Sequence, residues 1–449
     1  MIDWLLDSMS ARGDAPALLG PDGAWSFADI VKRSREWSER LAPIEPGAVV
    51  TFDGDYGPET IALLLALAGN RNVAVPLSRD VASHHDTFRA LSEAAYHVSG
   101  WDGVKETGVS TSHEYYLRLR QQNRPGLVLF TSGSTGVNKA AVHDLAALLD
   151  KFRTPRPAYR TLAFLQVDHI GGLNTLFSVM FNGGTMVTSA SRQAKDICAC
   201  IERHGVTLLP TTPSFLTMLL MSGVHRQHDL SSLKVVTYGT EAMPSSTLAG
   251  LNRALAGVSF KQTYGLSELG ILATQSKDSG STWVKLGGEG VELKVKDGTL
   301  WIRSRQAMLG YLNAPSPFDA EGWYDTGDKV EVDGEYFRIL GRESEVINVA
   351  GEKVFPVEIE SFLLTLDNVK DVIVSRKKSP VVGQMVWAEF VLDRHEDPVS
   401  FKQRVVEQCR RHLAPFKVPQ FITIAGKDNL VGSRFKKIRK GMADVVAQS

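Results

Sequence analysis

The chain has 449 residues, 43% hydrophobic and 22% charged, which suits a globular enzyme and is too long for one ordinary domain. Fifty Lys and Arg balance fifty Asp and Glu, so no global field favours nucleic acid. Cys198, Cys200 and Cys409 make neither a disulfide framework nor a zinc set, and such usage fits a reducing compartment.

The first sixteen residues have no basic start and no small-residue cleavage site, so no secretory signal is expected. The longest apolar run, Ile61 to Ala68, is too short to span a bilayer. A cytoplasmic protein is expected. From Leu127 to Tyr264, short apolar runs alternate with amphipathic patterns. Strands are expected at Leu127–Phe130, Leu162–Val167, Thr185–Val187, Thr207–Leu209, Val235–Tyr238 and Ser259–Thr263. Helices are expected at Asp196–His204, Pro213–Met221 and Ser245–Ala256, with Cys198 and Cys200 as core or partly exposed thiols. Such alternation implies a mostly parallel sheet with helices on its faces. After Leu266 the pattern changes. Val291–Ser304 alternates around Asp297-Gly298, and Val330–Leu340 alternates around Asp333-Gly334. Both read as hairpins of a smaller antiparallel region.

The last hundred residues read as a separate α+β unit. Its elements are helices at Pro356–Thr365 and Val399–Leu413 and strands at Val369–Ser375, Met385–Val391 and Gln420–Ile424. Its tail is basic, which suits either a solvated face or a domain that approaches an anionic substrate. The expected fold is therefore α/β. A large N-terminal domain has mixed, mostly parallel sheets with helices and a small antiparallel, barrel-like part. A small α+β domain follows. No internal repeat or low-complexity segment interrupts the chain.

The apolar run Leu127–Phe130 leads directly into Thr131, Ser132, Gly133, Ser134, Thr135 and Gly136, with Lys139 three residues on. Small hydroxyl and glycine residues expose backbone N–H groups, and an ammonium adds fixed charge; together they suit a polyphosphate. The commonest phosphate loop ends in Gly-Lys-Ser/Thr. Here Ala140 follows Lys139, so no hydroxyl stands where that loop holds magnesium. Further on come Tyr238-Gly239-Thr240-Glu241 and Gln262-Thr263-Tyr264-Gly265-Leu266-Ser267-Glu268, both at strand ends, where ligands bind in open α/β sheets. Gly322-Trp323-Tyr324-Asp325-Thr326-Gly327-Asp328 and Gly341-Arg342-Glu343-Ser344-Glu345 complete the series.

With these motifs in this order, the chain resembles the adenylate-forming superfamily of acyl- and aryl-CoA synthetases, nonribosomal adenylation domains and luciferases, over roughly residues 127 to 440. Its length is similar to that of succinylbenzoate-type CoA ligases, with a trimmed N-terminal subdomain. The resemblance implies activation of a carboxylic acid by ATP to an acyl-adenylate. The acyl group then passes to coenzyme A or a carrier-protein phosphopantetheine. It implies ATP and Mg2+ as cofactors, and an acyl carrier protein as a possible partner. An amide or ester synthetase and a non-catalytic nucleotide-binding protein are the competing readings.

The resemblance also implies residue roles. Thr131 to Gly136 and Lys139 match the phosphate loop, with Asn138 and Ala140 where proline and glycine are usual. Tyr264 matches the residue that stacks on adenine, Gln262 would bind its amino edge, and Gly239, Thr240, Glu241, Thr263, Gly265, Ser267 and Leu340 complete the nucleotide site. Glu268 matches the magnesium ligand, and Asp328 and Arg342 the ribose-binding pair. Lys437 matches the catalytic lysine, with Lys436 as the alternative register. His169 matches the residue that gates the carboxylate site, and Thr131 the loop's catalytic hydroxyl. Asp168, Gly172, Tyr238, Gly239, Gly265, Leu266 and Gly270 would line the acyl pocket. Asp168 either reads a substrate amino or hydroxyl group or caps the next helix. Ser344 is the implied hinge, which divides a 1–343 domain from a 344–449 domain. Ala350 and Gly351 would meet the pantetheine arm.

Overall fold

A computed structural model describes residues 3–100, 103–132, 138–379 and 383–425. Two seven-stranded sheets form the body. The first runs Ser259–Gln262, Val235–Tyr238, Leu208–Thr211, Arg160–Leu162, Thr185–Val187, Pro16–Gly20 and Gly23–Ser26, parallel except for the last hairpin. In the second, Gly126–Ser132, Val73–Leu77, Val49–Asp53 and Tyr96–Val98 are parallel neighbours. Antiparallel strands Asn138–Asp144 and Gly310–Tyr311 extend one edge, and Val104–Glu106 the other.

Between the sheets lies a helical layer. Ala17, Leu18 and Met186 of one sheet and Val50, Phe52, Ala74, Leu127 and Leu129 of the other share a core with helices Phe27–Leu41, Pro58–Gly69 and Ile170–Asn182. The apolar run Ile61–Ala68 is the middle helix, and each of its residues is buried. A helix apolar on all sides belongs in such a layer. Ser26 begins the first helix with a capping box to Asp29. Among the described residues no helix is long and apolar enough to cross a membrane.

The antiparallel region is a six-stranded half-barrel. Val291–Lys296 pairs with Thr299–Ser304, and Tyr324–Asp333 with Tyr336–Arg342. Asp297 and Gly298 both have positive φ, as a two-residue hairpin turn with right-handed strand twist requires. From Ile347 to Ile422 a third core forms around Phe390 and Phe401, under a five-stranded sheet.

Expected and observed elements agree in type, with bounds shifted at the ends. The main departure is Leu162–Val167. Only Arg160–Leu162 pairs, and residues 163–169 leave the sheet as a loop. Phe164 and Val167 are apolar because they are buried, not because they are strand. Cys198 and Cys200 are buried on helix Ala194–His204, where burial pushes both thiols up to about 11.

His143 on the Asn138–Asp144 strand is wholly buried, and burial pushes it down to about 4. The unfolded chain takes up this proton near pH ~6.5 and the folded chain does not, so stability is lost as pH falls through that window. His143→Met should therefore lose less stability than the parent between pH 7 and pH 5, by about 2 kcal/mol in denaturant titrations. Equal losses would show that His143 is not the group responsible.

Candidate active site

The carboxyl ends of the first sheet meet the half-barrel and the C-terminal unit at an open cleft, lined among others by Thr240, Glu241, Gln262, Thr263, Tyr264, Gly265, Leu266, Asp328, Leu340 and Arg342. Gly239 lets two strand ends close together. A Cβ there would stand 2.5 Å from Thr263 Oγ1 and 2.7 Å from its carbonyl. Thr240 follows with φ of 73°, a left-handed conformation rare for a β-branched residue. Glu241 accepts from the Ser214 amide at 3.2 Å and from its hydroxyl at 2.7 Å, at the start of helix Pro213–Ser222. Gln262 is buried, and its Oε1 has no hydrogen-bond partner.

One chain of polar contacts, buried at Tyr264 and Asp328 and half exposed at Arg342, joins the cleft's two sides. The Tyr264 hydroxyl donates to Asp328 Oδ2 at 2.6 Å, and Arg342 Nε donates to Asp328 Oδ1 at 2.8 Å. Arg342 Nη1 also donates to the Thr326 carbonyl at 2.8 Å. Burial raises the Asp328 carboxyl, against the pull of Arg342 and of the Tyr264 bond. Burial and then the Asp328 charge hold the Tyr264 phenol well above its ordinary value. A polar face of this kind suits an uncharged heterocycle and a sugar diol.

A second set surrounds Glu268, which lies in the turn between Gly265–Leu266 and Gly270–Ile271. Its Oε1 accepts from the Tyr311 hydroxyl. The Lys139 ammonium lies 5.0 Å from the Tyr311 ring centroid. Asn313 accepts from the Ala140 amide at 2.9 Å and donates to the Asn138 carbonyl at 2.9 Å. The 308–313 segment thus ties the strand leaving the Ser/Gly loop to Glu268, whose carbonyl also accepts from the Met308 amide at 2.8 Å. The loop's stem is paired, Thr131 with Lys139 and Ser132 with Asn138. Tyr311 and Asn313 escape the sequence reading. Their only signal is the tetrad Gly310-Tyr311-Leu312-Asn313, on a strand of two residues.

No group of three or more His, Cys, Asp or Glu among the described residues forms a metal cluster. Glu268 alone fits magnesium only where phosphates and water supply the other ligands, which is the usual mode for that ion.

Asp168 does not cap the following helix. The N-cap of Ile170–Asn182 is His169, whose side chain makes no capping hydrogen bond. Asp168 instead accepts from Ser78 Oγ at 2.7 Å, and His169 Nε2 lies 3.9 Å from its other oxygen. Gly172 is required, since a Cβ would stand 1.8 Å from the Gln166 carbonyl. Tyr238 is fully buried in the sheet's outer core rather than in the cleft wall, and Gly270 packs near Leu148. Ser344 is exposed in the turn Glu343–Glu345. Ala350 and Gly351, both with positive φ, form an exposed hairpin tip away from the cleft lining. Gly133, Ser134, Thr135, Gly136, Lys436 and Lys437 lie outside the described residues.

The AMP-binding enzyme family model matches residues 82–312, and that of the AMP-binding enzyme C-terminal domain matches 358–433. A 2-succinylbenzoate–CoA ligase of Bacillus pumilus is 27% identical over 93% of this chain and 92% of its own length. An indoleacetate–CoA ligase of Aromatoleum aromaticum is 28% identical over 70% of this chain and 66% of its own. Among solved structures, an anthranilate CoA ligase in complex with anthranoyl-AMP superposes with a TM-score of 0.81. It is 20% identical, over 96% of this chain and 95% of that one. The amide bond synthetase McbA of Marinactinospora thermotolerans gives 0.73 at 21% identity, over 94% and 95%. The two structural likenesses establish the fold.

Arg342→Ala would leave the buried Asp328 carboxylate without its cation. At pH 7 the variant should lose about 1–3 kcal/mol relative to the parent. Because burial favours the protonated carboxyl, that deficit should shrink as pH falls and Asp328 takes up its proton. A deficit that stays constant from pH 7 to pH 4.5 in thermal melts would contradict this account.

Proposed function

We propose that this chain, which belongs to the AMP-binding enzyme family and is an acyl- or aryl-CoA synthetase-like enzyme, activates a carboxylic acid with ATP and transfers the acyl group to a thiol. The thiol is coenzyme A or the phosphopantetheine of a carrier protein. The observation that carries this reading is the cleft in which Gln262, Tyr264, Asp328 and Arg342 converge. Gln262 Oε1 is a buried acceptor that an adenine amino group would satisfy. Asp328 and Arg342 together present an acceptor and donors to a ribose. The 2-succinylbenzoate– and indoleacetate–CoA ligases support a small carboxylic acid as substrate.

A carboxylate is a poor electrophile. Its oxygen attacks the α-phosphorus of ATP and pyrophosphate departs, which leaves an acyl-adenylate with a good leaving group. A thiolate sulfur then attacks the acyl carbon and AMP departs. Lys139 and the loop that begins at Thr131 offer positive charge and N–H donors to the phosphates. Magnesium on Glu268 would neutralise phosphate charge, and Tyr311 holds that carboxylate in place. Lys437 is assigned to the transition state as a point charge, and His169 to the mouth of the acid site.

The two half-reactions need different partners at one centre, which suits rotation of the 344–449 unit. Arg342 is tied to Asp328, and Glu343 pairs with the buried Lys329 at 2.8 Å. Ser344 is thus the first residue past the anchored strand, which supports it as the pivot. Ala350 and Gly351 would reach the thiol's arm after rotation.

A pyrophosphate-release screen across aryl, short, medium and long acids tests the activity. Release without any acid dependence would sink it. Thioester with coenzyme A or a loaded carrier is expected; an amide formed with a free amine and no thioester would instead establish an amide synthetase. Lys437→Ala should slow adenylation by about a hundredfold or more while sparing transfer from preformed acyl-adenylate. If Lys436→Ala shows that phenotype, the register shifts by one. Glu268→Gln should lose magnesium-dependent activity. Ser344→Pro should retain adenylate formation and slow thioester formation at least about tenfold.

A further inference from the structure

Asp168 is the one charged group of a small cavity otherwise lined by Pro76, Leu77, Val81, Phe88 and Phe130. It is 6% exposed. Ser78 engages its Oδ2, while Oδ1 has no hydrogen-bond partner. His169 Nε2, at 3.9 Å, is beyond hydrogen-bonding reach. A carboxylate half satisfied in apolar surroundings is costly. A second polar atom in the neighbourhood is also unsatisfied. The Tyr56 hydroxyl is buried without a partner, and after desolvation the Asp168 charge is the main influence holding its proton on. That hydroxyl lies against Gly172, where a Cβ would be 2.7 Å away.

The place matters as much as the atoms. Tyr56 follows strand Val49–Asp53, Ser78 follows Val73–Leu77, and Phe130 runs into Thr131 on Gly126–Ser132. These are the carboxyl ends of three parallel strands, where α/β sheets receive ligands. Asp168 immediately precedes His169. Asp55 and Asp80 also stand nearby, paired with Arg79 and Arg192, and burial raises Asp55 against the bond and charge of Arg79.

We propose that Asp168, with Tyr56, forms a subsite that takes a hydrogen-bond donor, an ammonium or a hydroxyl, carried by the acid at a distance from its carboxylate. This rests on the carboxylate-activating reading and narrows its substrate class to amino or hydroxy acids. A site built to pair a polar group discriminates far more strongly than an apolar pocket does, because an analogue without the donor leaves the site's acceptors unpaired.

The test uses the full chain with benzoate and hexanoate and their amino and hydroxy derivatives, read by calorimetric binding and by pyrophosphate release. At least one donor-bearing acid should exceed its parent in both affinity and kcat/KM by about tenfold or more. Asp168→Leu should bring that ratio close to one, with the donor-bearing acid losing far more than its parent. Asp168→Asn, which keeps size and an acceptor, should retain a hydroxyl preference and lose an ammonium preference. Tyr56→Phe should lower the ratio less. No donor preference in the wild type would mean a structural contact or a buried water only, and overturns the proposal. So does a loss shared equally by parent and derivative in Asp168→Leu and Asp168→Asn. Failure of the broader reading looks different. Donor-bearing acids would then still bind, and bind through Asp168, but no acid would release pyrophosphate.

Discussion

The contact on which the cleft depends is the buried carboxylate of Asp328, held between Tyr264 and Arg342. Its donors come from separate bodies. Tyr264 stands just past the last strand of the first sheet, and Arg342 ends a half-barrel strand. Asp328 and Arg342 already face each other on adjacent half-barrel strands, so it is the Tyr264 hydroxyl that ties the first sheet's end to this pair, and a desolvated carboxylate holds that register. That register also brings Gln262 and Thr240 opposite Leu340. The same pairing fixes where the anchored chain stops. Arg342 and Glu343 are each bound to the Tyr324–Asp333 strand, and the C-terminal unit begins beyond them. Cleft geometry and the end of the anchored strand thus follow from one electrostatic requirement.

A parallel logic governs the other side. Glu268, Tyr311, Lys139 and Asn313 link the turn after the first sheet to the edge of the second. Two sheets formed by different stretches of the chain are thereby joined, one through a carboxylate and one through an amide side chain.

Features that depend on neighbours in the chain could be read from it. The Asp297-Gly298 turn is legible because its backbone requires those residue types, and Val235–Tyr238 because its residues favour a buried strand. Helix Pro58–Gly69 shows in the sequence only as the apolar run Ile61–Ala68, since burial on all sides erases periodicity. The reading failed where packing imitates pairing, as at Phe164 and Val167. Tyr264, Glu268, Asp328 and Arg342 stood out because their motifs follow a family order, not because of local chemistry. Asp168 was ambiguous for a physical reason. The local choice was a helix cap, but the partner that won, Ser78, is 90 residues away. Tyr311 and Asn313 were missed because a two-residue strand has no pattern to show.

The contact between Ser361 of the C-terminal unit and helix Ser245–Ala254 has its own consequence. Ser361 Oγ meets Ser245 Oγ at 2.9 Å and accepts from the Ser246 amide at 3.1 Å. Small hydroxyls at a part-exposed seam exchange protein partners for water at little net cost. Such a seam selects an orientation without holding it. If the unit rotates as proposed, the balance between orientations would be set by whatever nucleotide or acyl intermediate fills the cleft, because only differential affinity for two arrangements can shift their populations. For the proposed rotation, serines at this position would make the seam a neutral fulcrum, so that the progress of the reaction, rather than the protein's resting preference, would direct the lever.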